Sequence, residues 1–344
     1  MSKIVLGIGA VAATAALAIS PASARDSLNA VTSLQQTNTI ARSFLTTFVA
    51  PVNAAKGPIS INYVGGQEVV PPRKASNALK RGQFDVLCSP TAYYIGTVPE
   101  GYALLAANQG PASLRKNGAW EVLEEVYAKK AGAHLLAWGE NMTSYNMYLA
   151  KKPKMKNGIP DLSGMKMRAT GTYRPLFRAL GGSTINIKSS EIFTAMQRGT
   201  VEGFGFTDVS FVPLGFHQVA KYRVTPNFYQ TNQVVTVNLG VWKSLTKAQQ
   251  DFLTAQAIKY ETTSVKWVET QRIAEEKQIK AAGVVDIALK GDAAAKYLDI
   301  AHQEIWKELK KRSEYHDKLK PMMYIPGKPS RQVDLMSATK RLKQ

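Results

Sequence analysis

The chain of 344 residues carries 44 Lys and Arg against 25 Asp and Glu, a net charge of +19, with 45% hydrophobic and 9% aromatic residues. That composition excludes a disordered chain and supports sizeable cores, on a length that suits two ordinary domains. The single cysteine, Cys88, excludes an intramolecular disulfide and reads as a buried thiol in the core run Asp85-Val86-Leu87-Cys88-Ser89-Pro90.

The N-terminus has the pattern of a cleavable leader. Met1-Ser2-Lys3 is followed by an Ala-rich apolar run to residue 19, and Pro21-Ala22-Ser23-Ala24 supplies a small-x-small site with cleavage after Ala24. No other apolar run approaches the roughly 20 residues of a membrane span, and no cysteine near the cut suggests a lipid anchor. An exported, soluble mature chain is expected. Its positive charge favours anionic partners and can steer small anions toward a cleft. Nucleic acid is the rival partner, and export argues against it. Apart from a patch at 307–312 and a basic tail at 328–344, the charges are scattered, as on a solvated basic surface.

Strand-like and helix-like segments then alternate. Residues 28–34 read as a first strand, 39–49 as an amphipathic helix, and 58–64 as a second strand running into the loop Gly65-Gly66-Gln67-Glu68. A helix over 73–80 is broken by Gly82 before a buried strand at 84–88, whose following loop carries Tyr93 and Tyr94. Alternation at this pitch predicts βα units and a largely parallel sheet. A helix over 117–131 and strands at 134–139 and 144–150 follow. The polar stretch from Lys151-Lys152-Pro153 to Asp161 is the expected interdomain hinge. This divides the chain into a first lobe of 25–150 plus about 234–260, and a second of 151–233 plus C-terminal segments.

The second lobe opens with Asp161-Leu162-Ser163-Gly164-Met165-Lys166-Met167-Arg168-Ala169-Thr170-Gly171. A short apolar strand ends there on an arginine and enters a glycine-containing loop, with a helix expected over 173–180. Ligands of open α/β folds bind beyond the carboxyl ends of strands, and a guanidinium in that position matches a carboxylate at two points. A strand at 183–187, a helix at 191–197 and a strand over 201–208 follow, the last bearing Phe204 and Phe206. A strand at 234–238 is expected to return the chain to the first lobe. Residues 246–282 contain no proline or glycine; with Thr246 as cap and Gly283 as stop they predict a helix of roughly 55 Å, long enough to lie across both lobes. A last strand at 284–289 and a helix over 293–312 complete the reading.

Catalytic signatures are missing. There is no Gly-x-Ser-x-Gly elbow and no phosphate-binding glycine loop. The four histidines, His134, His217, His302 and His316, are dispersed without metal-ligand spacing. Neither a metal nor a cofactor is expected, and a binding protein is favoured over an enzyme.

Several ordered motifs carry a resemblance. Asp161-Leu-x-Gly164-Met-Lys-Met-Arg168, then Leu180-Gly181-Gly182, and Ser190-Glu-Ile-Phe-Thr-Ala-Met-Gln-Arg-Gly199-Thr-Val-Glu-Gly203 are similar to blocks of the DctP-like family. These are the extracytoplasmic solute-binding subunits of TRAP (tripartite ATP-independent periplasmic) transporters. Lys221-Tyr222 and Val237-Asn238-x-x-x-Trp242-x-x-Leu245 resemble two further family patterns. The resemblance implies a two-lobed α/β fold, with a mixed or parallel sheet in each lobe, hinge strands and a long spanning helix. It also implies clamp closure on a small organic acid in the periplasm and delivery to the membrane permease subunits. Arg168 matches the arginine that contacts the carboxylate.

The chain departs from the family where many members have an asparagine after the Val-Asp-Gly block; Phe206 stands there instead. A further arginine of sialic-acid-type members is replaced by the stretch 142–148. A pocket of Phe204, Phe206, Tyr93, Tyr94, Tyr145 and Tyr173 would favour an aromatic or branched aliphatic carboxylate, with Gln67 or Glu68 of the opposite lobe binding a hydroxyl or keto group. A monomer is expected, with a dimer as the alternative. Competing readings are a ligand-presenting receptor for a sensor kinase and an exported enzyme.

Overall fold

A computed structural model of the chain describes residues 25–325; the expected leader and the basic tail lie outside them. The first sheet consists of β1 (Ser27–Thr32), β2 (Ser60–Gly65), β3 (Val86–Pro90), β4 (Ala133–Trp138) and β12 (Gln233–Asn238), in the order β2-β1-β3-β12-β4. The second contains β5 (Ser144–Leu149), β8 (Lys166–Arg168), β9 (Ser183–Ile185), β10 (Gly203–Thr207), β11 (Tyr222–Gln230) and β13 (Val285–Ala288), in the order β13-β11-β5-β10-β8-β9. A small ribbon of β6 (Lys154–Lys156) and β7 (Ile159–Asp161) hangs beside it. The βα alternation gives the expected parallel pairs β1 with β2 and β3. The antiparallel insertions of β12 and β5 make both sheets mixed.

The hinge lies elsewhere than the sequence suggested. Residues 144–149, grouped above with the first lobe, form β5 at the heart of the second sheet, and the polar stretch 151–161 folds into the β6–β7 ribbon. The chain crosses between sheets at 139–143 and again at 231–232. These crossings pair, Thr231 N–H donating to Thr143 O at 2.7 Å, and Trp138 Nε1 donates to Thr231 O at 2.7 Å. A non-glycine residue in the left-handed region stands within the first, Glu140 (φ 44), and another at the end of β11 shortly before the second, Tyr229 (φ 52). Such backbone persists only where packing holds it.

The long helix Lys247–Ala281 starts on a capping box in which Thr246 Oγ1 accepts from Gln249 N and Gln249 reaches back to Thr246 N. Its first half packs into the first lobe, where Tyr260 sits against Phe44 and Phe48. Its last turns belong to the second lobe, where Ile279 joins the core and Glu275 accepts from Ser210 N and Val212 N at 2.8 and 2.7 Å. One uninterrupted helix therefore spans both lobes.

Candidate functional site

The carboxyl ends of β1, β3, β8 and β10 face one another across the cleft. Arg168 is the last residue of β8, in register with Phe204 and Ile185 on its two neighbours. It is 2% exposed. Its Nε donates to Ile187 O at 3.0 Å and its Nη1 to Gly205 O at 3.2 Å, which leaves part of its five-donor fork unused by the backbone. No carboxylate lies within ion-pair distance of it among the described residues. Burial lowers its pKa, the phenols of Tyr173 and Tyr93 work in the opposite direction, and the guanidinium of Arg73 adds to the lowering. A buried cation without a counter-charge is costly, and an anion arriving from outside relieves that cost.

Glycine makes this geometry possible. A Cβ on Gly205 would come within 2.5 Å of the Tyr173 ring, so only glycine lets Tyr173 lie across β10 while the Gly205 carbonyl meets Arg168. Tyr145 meets Tyr173 edge-on with centroids 5.2 Å apart, and its hydroxyl donates to Thr231 Oγ1 at 3.3 Å. Burial raises the pKa of Tyr93, Tyr145 and Tyr173. All three remain neutral phenols, able both to donate and to accept.

These groups enclose a cavity of about 60 Å³. By that measure it has room for roughly four to six waters, or a compact ligand in their place. The first lobe contributes Leu34, Asn38, Ile40, Pro90, Ala92, Tyr93 and, at the start of β12, Gln233, and the second crossing contributes Thr231. The second lobe supplies Tyr145, Arg168, Thr170, Thr172, Tyr173, Ser189, Phe206 and Thr207. Arg168 is the one charged side chain in this lining among the described residues. The lobes touch around it: Thr39 N–H donates to Ser210 Oγ at 3.0 Å, Tyr93 meets the Ser189 hydroxyl, and Arg73 Nη2 donates to Asn186 Oδ1 at 2.6 Å. These contacts hold the two lobes together over the cavity.

Of the residues selected from sequence, Arg168, Phe206, Tyr93, Tyr145 and Tyr173 come together here. Four others do not. Phe204 is fully buried, stacked with Tyr148 and edge-on to Phe216; Tyr94 is buried in the first lobe's helical core. The Glu68 carboxylate folds back to accept from Gly66 N at 2.6 Å, and Gln67 Nε2 donates to Gln35 Oε1 at 3.3 Å. Both side chains are turned to these partners, and neither is in the cavity lining. The sequence reading missed Asn38, Ile40, Thr170, Thr172, Ser189, Thr207, Thr231 and Gln233. Applying the strand-end rule to β1 and β10, as it was applied to β8, would have reached some of them.

A wider groove between residues 108–116 and the long helix also holds an arginine, but Arg115 there is paired with Glu261 at 2.8 Å. Among the described residues no group of three or more His, Cys, Asp or Glu is arranged to hold a metal ion. No helix among the described residues is long and apolar enough to cross a membrane.

Two lobes joined by narrow crossings and closed over a small cavity have the build of a clamp-type solute-binding protein. The chain belongs to the DctP family: the family model described as bacterial extracellular solute-binding protein, family 7, matches residues 31–312. The TRAP solute-binding subunit resemblance drawn from the motifs is thus upheld. The chain is 22% identical over 269 residues to a solute-binding protein of Albidiferax ferrireducens, a match covering 76% of this chain and 78% of that one. Its fold is similar to a TRAP transporter solute-binding protein from Bordetella bronchiseptica RB50, with TM-score 0.74 and 20% identity over 88% of this chain and 91% of the other. That protein is a mixed-occupancy dimer with copurified calcium and picolinate in one site. A TRAP periplasmic solute-binding protein from Desulfovibrio salexigens with bound orotic acid is similar at TM-score 0.73 and 19% identity, over 87% of this chain and 97% of that one.

Proposed function

We propose that this chain captures a compact organic monocarboxylate in the periplasm and, as a closed clamp, presents it to the membrane subunits of a TRAP permease. The observation that carries the reading is Arg168, a buried guanidinium with donors to spare and no carboxylate of the fold to meet them. One cation in the lining suits one carboxylate. The hydroxyls of Thr170, Thr172, Tyr145 and Thr231 suit a hydroxyl or oxo group beside it, and Tyr173 and Phe206 offer flat apolar faces to an aromatic or branched body. Picolinate and orotate in the two similar structures are ring carboxylates of that size class. The leader ending at Ala24 accords with export.

The test is a thermal-shift screen of mature protein stripped of carried-over ligand. The panel holds aromatic carboxylates, branched-chain and 2-oxo acids, C4-dicarboxylates and sialic acid, each beside its amide. Binding to the folded state raises the midpoint by mass action. The expected result is a shift with a monocarboxylate that vanishes for its amide and in Arg168→Ala. Equal shifts for acid and amide, or an unchanged response in Arg168→Ala, would remove carboxylate capture.

A further inference from the structure

The segment just past β9 receives two arginines on consecutive residues. From inside the cavity Arg168 Nε donates to Ile187 O at 3.0 Å, while from the opposite lobe Arg73 Nη2 donates to Asn186 Oδ1 at 2.6 Å. Arg73 stands in the short 3-10 turn Pro72–Lys74, behind Pro71 and Pro72. The fixed φ of the two prolines stiffens that approach. It is exposed, at the mouth rather than in the lining. Neither arginine has a carboxylate within ion-pair reach among the described residues. Both charges bear on the Tyr93 phenol, and Arg73 opposes the charge of Arg168.

We propose that Arg73 is the positioning residue through which the clamp senses ligand charge: closing docks it on Asn186 beside buried Arg168, so the closed state gathers two uncompensated cations that an anion in the cavity reconciles. The inference rests on the carboxylate reading of Arg168 but concerns closure rather than contact. In the open clamp Arg73 leaves Asn186 and its charge is dispersed into water. In the closed clamp the hydrogen bond to Asn186 favours closure and the nearness of Arg168 opposes it. A bound carboxylate cancels the opposition and leaves the hydrogen bond, so an anion has differential affinity for the closed form beyond its direct contacts. A neutral isostere of the same shape leaves the two cations facing each other.

Because the opposition already exists without ligand, it is measured on the unliganded mature protein. Spin labels at Lys56→Cys and Arg198→Cys, exposed positions on the two lobes, report open and closed distances; native Cys88 is buried and escapes labelling. Sodium chloride is raised from about 0.01 M to about 1 M, over which the Debye length falls from about 30 Å to about 3 Å. The wild type is expected to close progressively with salt. Arg73→Gln keeps a donor for Asn186 without the charge; it is expected to raise the closed-to-open ratio at low salt about two- to five-fold and to flatten the salt response. Arg73→Lys should keep the salt response, and Asn186→Ala should close less at every salt concentration. An Arg73→Gln protein that closes no more than wild type and follows salt equally would overturn the proposal. That failure is separate from failure of the carboxylate reading, which only the acid and amide screen can bring about.

Discussion

The second sheet holds two buried arginines, and their surroundings differ in kind. Arg223 in β11 is 7% exposed. It makes two hydrogen bonds to Glu276, at 2.7 and 2.9 Å, and two to Asp286, at 2.7 and 3.0 Å. Burial opposes its charge, but those bonds outweigh burial and raise its pKa. Arg168 at the end of β8 is buried more deeply, meets two backbone carbonyls and the Tyr173 phenol but no carboxylate, and has its pKa lowered, by burial above all. The fold has completed the first site and left the second open toward a cavity. A cation whose counter-charges are built in ties β11 to β13 and the long helix. A cation without them is, on the proposed reading, kept for an anion from solution.

The largest effect that would sharpen this contrast is expected at Arg223. Arg223→Met leaves Glu276 and Asp286 without their partner and should cost about 3–5 kcal/mol of stability in urea unfolding, with acid binding retained at temperatures where the protein stays folded. Arg168→Ala should do the reverse. Acid affinity should fall by about 2–5 kcal/mol, roughly thirty- to several-thousand-fold, as read by calorimetric titration, with little change in the unfolding midpoint.

Glu140, fully buried at the first crossing, offers a third, smaller test. Its carboxylate accepts from Tyr260 Oη at 2.9 Å, and burial raises its pKa from the ordinary 4.5 to about 7. Between those values the folded state holds a proton that the unfolded state has lost. The contribution of this carboxyl is therefore full below pH 4.5 and is lost as pH rises through about 7. The loss is at most about 3 kcal/mol. Glu140→Gln should remove it, so that the variant gains on wild type in unfolding free energy as pH rises over that window; a pH-independent difference would show that the carboxyl ionises normally. Smallest of all, Tyr145→Phe removes the donor to Thr231 Oγ1 and should cost about 1 kcal/mol, read as acid affinity if the phenol serves the ligand and as stability alone if it does not.

How far the sequence could be read depended on range. The placement of Arg168 at the end of β8, beside the cavity, was legible because an apolar strand, its terminal arginine and the glycine loop are local signals. The 35-residue helix from Lys247 was legible because nothing interrupts it and Thr246 caps it. Strand order is not a local signal, and there the reading failed. Gln67 and Glu68 come just after the end of β2, near the rim, but their side chains turn to Gln35 and Gly66 rather than to the cavity. Phe204 and Phe206 share a face of β10, and only the position of the cleft at its carboxyl end divides a core residue from a lining one. Tyr94 differs from Tyr93 by one step of a tight turn. The nine-residue β11 went unread because Pro226 interrupts its pattern. Lys151-Lys152-Pro153 resembles a hinge in sequence because polar, proline-containing stretches look like linkers. The true crossings are buried against the long helix, with Glu140 N donating to Ser264 Oγ at 3.0 Å.

The most direct test of the claim that Arg168 is held for a ligand and not for the fold is equilibrium urea unfolding of ligand-stripped wild type beside Arg168→Met. Removing a buried cation that has no counter-charge should leave the unliganded protein within about 1 kcal/mol of wild type, or more stable, because relief of the charge offsets the two carbonyls left without a donor. A loss of about 3–5 kcal/mol, matching that expected for Arg223→Met, would make Arg168 a structural residue and contradict the account.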